Sequence, residues 1–148
     1  MRLPASHSLR ILCPNGHLGF APIKTGSFRI GCASKPDLIC ADSGSCDVGP
    51  VPLGSDTSSS PLQWQVDDLE TMLLASRRLG VPMIVGSAGD TGSNSRVDLF
   101  VGIVQDLARK HGLARFWLGH FYSEAATDAL VLRIANGDEI TGLDGRPA

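Results

Sequence analysis

Short apolar runs alternate along the chain with longer segments of helical period. Residues 9–13 close at Pro14-Asn15-Gly16, residues 38–41 open after Pro36 and close at Asp42-Ser43-Gly44, residues 82–85 close at Gly86-Ser87-Ala88-Gly89, and residues 116–118 supply a fourth run. Runs this short and apolar suit strands covered on both faces, as in a parallel sheet. Between them, residues 62–79 place Leu62, Val66, Leu69, Met72 and Leu73 on one face. Ser60-Pro61-Leu62-Gln63 reads as a capping box with proline at the first helical position, and Gly80 with Pro82 reads as the stop.

A second helix is predicted over 95–111, where Val97, Phe100, Val101, Val104, Leu107 and Ala108 recur at three- and four-residue spacing before Gly112. Ser123 is expected to cap a third helix running to Asn136, with Ala126, Leu130 and Ile134 buried and Gly137 as its stop. A further short helix over 27–34 is weakened by Gly26 and Gly31, each costing about 1 kcal/mol relative to alanine. This order predicts a single α/β domain over 1–148: three-layer, Rossmann-like, mostly parallel, with helices on both faces. Right-handed crossovers bring the carboxyl ends of the strands to one sheet edge, where open α/β sheets bind ligands.

Composition narrows the partners. With 43% hydrophobic and 19% charged residues, the 148-residue chain can bury a core without staples. A net charge of −2 without a basic stripe argues against nucleic acid. The first eight residues are too polar for a signal peptide and nowhere do about 18 apolar residues run together, so a cytoplasmic protein without membrane contact is expected. Cys13, Cys32, Cys40 and Cys46 form no C-x-x-C pair and are expected to be reduced thiols.

The candidate chemistry lies at the strand ends. In Gly86-Ser87-Ala88-Gly89-Asp90-Thr91-Gly92-Ser93-Asn94, free N–H groups, hydroxyls and a following helix can cradle an anion, although it is neither a Walker A loop nor a G-x-G-x-x-G fingerprint. A capped turn of the same composition is the plainer reading, and Asp90 points to a cation or a hydroxyl rather than a phosphate. Asp42 and Asp47, flanking the second strand end, can hold a divalent cation or divide acid and base roles, or simply cap local turns. His17, between Gly16 and Gly19, and His120, near Tyr122, Ser123 and Glu124, are candidate bases or metal ligands, whereas His111 suits a helix C-terminus.

Several of these segments occur together in a known order. Gly16-His17-Leu18-Gly19-Phe20, Lys35-Pro36-Asp37-Leu38-Ile39 leading into Ala41-Asp42-Ser43-Gly44-Ser45, Gly49-Pro50 with Pro52-Leu53-Gly54, and Gly86 to Gly92 resemble the acyclic terpene utilisation protein A family over almost the whole chain. The resemblance implies a bacterial or fungal cytoplasmic protein associated with citronellol and geraniol breakdown. Family members run several hundred residues longer, so it also implies that 1–148 is an N-terminal portion that self-associates or docks on a missing C-terminal portion. Cys46 departs from the small or polar residue expected there. The functional expectation is an enzyme, or part of one, acting on a branched acyl or hydroxyacyl substrate, anionic or coenzyme A-linked, through Asp42, Asp47 or His17. The alternatives are a non-catalytic module for a small-molecule or nucleotide-like ligand, and a truncated interaction subunit.

Overall fold

The computed structural model describes residues 8–44, 49–139, 141 and 145. Its elements are β1 (Ile11–Leu12), α1 (Thr25–Ala33), β2 (Leu38–Gly44), α2 (Val51–Ser55), α3 (Leu62–Leu79), β3 (Met83–Asp90), α4 (Asn94–Lys110) and α5 (Thr127–Ala135). The three strands form one parallel sheet in the order β1-β2-β3. The fold is therefore mixed α/β.

Both crossovers, β1-α1-β2 and β2-α3-β3, step across the sheet in the same direction, and right-handed crossovers then put both helices on one face. Ile39, Ala41 and Ser43 of β2 turn toward those helices and are buried. On the opposite face Ile11 and Ile84 are each more than half exposed, so this face is open among the described residues. Two layers stand where three were expected, because helices reach the second face only if the strand order reverses.

Helix α3 begins one residue later than the capping box requires. Pro61 is the N-cap, in an extended conformation (φ −58°, ψ 133°), and its carbonyl accepts from the N–H groups of Trp64 and Gln65. Gln63 does not reach back; its amide donates to Asp67 Oδ1 at 2.7 Å. Leu69, Met72, Leu73 and Ala75 enter the core from this helix, whereas Leu62, expected on the buried face, is 51% exposed. The left-handed Gly80 (φ 69°) ends the helix. Helix α1 forms despite its glycines, and Gly31 has a packing reason: a Cβ there would lie 2.5 Å from Leu12 Cδ1. In α4, Phe100, Val104 and Leu107 complete the core on the same side.

Residues 116–118 form no strand. Phe116 packs against the core, with the Arg77 guanidinium 4.9 Å from its ring centre, but Trp117 is fully exposed. Farther along, Glu124 Oε2 accepts from the Asn94 N–H at 2.8 Å and the Tyr122 hydroxyl donates to Asp98. Anchored at both ends, the intervening segment stands off the outer edge of β3. The same two contacts hold residues 122–126 outside the helix, so α5 starts at Thr127 after an Ala126 N-cap instead of at Ser123. No residue of α5 is buried, including Leu130 and Ile134.

Candidate functional site

Strands β2 and β3 run farther than their apolar cores, so Asp42, Gly44 and Gly86 to Asp90 are strand residues rather than loop. Asp42 lies opposite Gly86 and Gly44 opposite Asp90, with an irregularity between them, and Ser87 and Asp90 take left-handed backbone conformations (φ 48° and 78°). A left-handed non-glycine residue at a strand end marks a position held by its surroundings. For Asp90 those surroundings are a set of donors.

The Asp90 carboxylate is buried. His17 Nε2 stands 3.1 Å from its Oδ1, while Oδ2 accepts from Ser58 Oγ (2.9 Å), Ser59 Oγ (2.7 Å) and the Ser59 N–H. Burial pushes the Asp90 carboxyl up, but the Ser59 N–H and hydroxyl, the Ser58 hydroxyl and His17 together outweigh it and hold the group below the usual carboxylate range. An ionised carboxylate only accepts, so Nε2 carries the proton of this bond and Nδ1 of the neutral ring is left as the acceptor. The imidazole stacks on Phe20, ring centres 4.9 Å apart and planes within 8°. Among the described residues, Nδ1 has no hydrogen-bond partner.

A second buried carboxylate fixes the segment that carries His17. Asp68, on α3, accepts from the Gly19 N–H (2.9 Å), the Ile23 N–H (2.9 Å) and Asn15 Nδ2 (3.1 Å). Gly19 is left-handed (φ 81°), and a Cβ there would lie 2.5 Å from Gln65 Cγ. The fully buried Gln65 donates from Nε2 to the hydroxyls of Ser58 and Ser60, both at 2.6 Å. Leu18 N–H also bonds the Asp42 carbonyl at 2.8 Å. Three buried polar atoms, Asn15 Oδ1, Gln65 Oε1 and Ser43 Oγ, have no hydrogen-bond partner among the described residues.

Of the expected site residues, the structure thus brings His17 and Asp90 together. The Asp42 carboxylate turns back instead, accepting from the Gly44 N–H at 2.8 Å. Asp47 and Cys46 lie outside the described residues. Thr91, Ser93 and Ser95 form a hydroxyl chain at the start of α4, with spacings of 3.0 and 3.1 Å, ending on Asp56. Within the Gly86 to Asn94 segment expected to cradle an anion, Glu124 takes the Asn94 N–H. His120 stays exposed, 5.0 Å from the Tyr122 ring.

Sequence reading missed Ser58, Ser59, Gln65 and Asp68. A signal existed for two of them: Gln65 and Asp68 share the helical face of Leu69 and Met72, and polar groups at core spacing need partners. Among the described residues no three His, Cys, Asp or Glu side chains gather closely enough to hold a metal ion, and no helix is long and apolar enough to cross a membrane. Compared with models of known families, with curated proteins and with solved structures, the chain finds no match.

Proposed function

We propose that the chain is the acid–base half of a small-molecule enzyme, with His17 moving the proton and Asp90 fixing its tautomer and orientation. The observation that carries this reading is the buried Asp90 joining His17, 73 residues before it, to Ser58 and Ser59, 32 and 31 residues before it. A carboxylate behind an imidazole selects one tautomer and stabilises the imidazolium when the ring takes up a proton. Ser58 and Ser59 spend their hydroxyl protons on Asp90 rather than facing His17, so neither is set up as a nucleophile. Proton transfer to or from a bound substrate is the chemistry left, and a well-placed base contributes about 10²–10⁴-fold.

The substrate class follows from the resemblance to acyclic terpene utilisation protein A, whose matching segments include both His17 and Asp90: a branched acyl or hydroxyacyl compound, free or coenzyme A-linked. A three-layer, Rossmann-like domain completed by further chain or by a second copy belongs to the same proposal, and the open sheet face supports it. The test is turnover of a panel of branched and straight acyl and hydroxyacyl acids and their coenzyme A thioesters, followed by mass spectrometry. His17→Gln and Asp90→Asn should each lower turnover at least 100-fold while the fold persists. Saturable binding of a panel member without turnover would move the chain to the second reading, a non-catalytic ligand-binding module.

A further inference from the structure

A separate concavity of about 490 Å³ lies between the outer edge of β3, the flank of α4 and the segment that stands off them. Its size is that of a small-molecule pocket. Ile84 and Val85 of β3, Val97, Val101 and Val104 of α4 and Leu118 of the segment make it apolar along its length. Ser87, Thr91, His120 and Ser123 bring polar groups to it, and these come from the two chain stretches that meet at the start of α4. Two carboxylates flank the lining residues along the chain: Glu124, after Ser123, sits on the Asn94 N–H, and Asp98, after Val97, accepts from the Tyr122 hydroxyl.

We infer that this concavity is a second binding site, for an apolar molecule of on the order of fifteen heavy atoms carrying a neutral hydrogen-bonding head such as a hydroxyl. The apolar body lies along β3 and α4. The head meets the hydroxyls of Ser87, Thr91 and Ser123. A carboxylate or phosphate head is disfavoured, because the N–H that would hold it is taken and the neighbouring carboxylates repel it. The inference does not rest on the reaction at His17, whose side chain is not part of this wall.

The test uses the whole chain and the neutral fluorescent probe N-phenyl-1-naphthylamine, with decanol and decanoate as competitors at pH 8. One probe should bind per chain, decanol should displace it, and decanoate should need at least tenfold more. Val101→Trp and, as a check should that variant fail to fold, Ile84→Trp should each weaken probe binding at least tenfold. Glu124→Gln should narrow the gap between decanol and decanoate, and His17→Gln should leave probe affinity unchanged. Absence of saturable binding, binding indifferent to both tryptophan variants, or equal competition by decanoate would overturn the site. So would a dimer in sedimentation that either tryptophan variant dissolves and the probe does not, since the concavity would then belong to a second copy.

Discussion

Removing the Asp68 carboxylate should unfasten the segment that carries His17. In Asp68→Ala, the N–H groups of Gly19 and Ile23 lose their buried acceptor, and Asn15 Nδ2 loses one of its two. Hydrogen bonds to a charged group are each worth about 1.5–3 kcal/mol net, and an orphaned buried donor costs about 1–3 kcal/mol. Relief of the carboxylate's own desolvation offsets part of this, so the loss is about 3–5 kcal/mol rather than the full sum. For a domain of this length that lowers Tm by roughly 8–18 °C. Asp68→Asn keeps the shape and one acceptor oxygen and should cost about half as much. Urea unfolding measures the totals, and amide exchange at Gly19 and Ile23 measures the local effect, which should exceed the global change. An alanine variant within about 1 kcal/mol of wild type, or exchange that accelerates only globally, would refute the reasoning.

Acid should weaken the fold through Asp90. Its folded-state carboxyl is held below its ordinary value, so the stability it contributes is present above about pH 4, the unfolded value, and drains away as pH falls through the depressed one; Asp90→Asn should flatten that part of the stability–pH curve measured by urea unfolding. Trp117→Ser should change stability by no more than about 0.5 kcal/mol, because the ring is fully exposed. A loss of about 3 kcal/mol or more in denaturant unfolding would mean that residues 116–118 are a buried strand after all.

Sequence patterning revealed the elements whose stability is local. The α3 and α4 periodicities, the stop at Gly80 and the parallel pairing of the second and third apolar runs all appear in the structure. What patterning could not reveal was settled by contacts distant along the chain. Residues 116–118 have the composition of a strand, yet Phe116 is committed to the core while Tyr122 and Glu124 are committed to α4. Ser123 has the chemistry of a helix cap, yet the ties on either side of it keep the chain extended. Asp42 falls where the second apolar run ends, yet the strand continues past it to Gly44, whose N–H its carboxylate accepts. The partner His17 did find, Asp90, sits 73 residues away, and nothing in local composition joins the two.

The two buried carboxylates divide the work of building the candidate site. Asp68 projects from the first turns of α3 and ties down the chain leaving β1; Asp90 projects from the end of β3 and ties down the chain entering α3. Because Gln65 lies one turn before Asp68 and bonds Ser58 and Ser60, the same helix holds both tethers in register. His17 is therefore positioned by rigid elements on two sides, through Gly19 and Asp68 on one and through Asp90 on the other, before any ligand arrives. A group held this way loses little freedom on binding, which is what a proton-transfer residue requires and what an exposed loop histidine lacks.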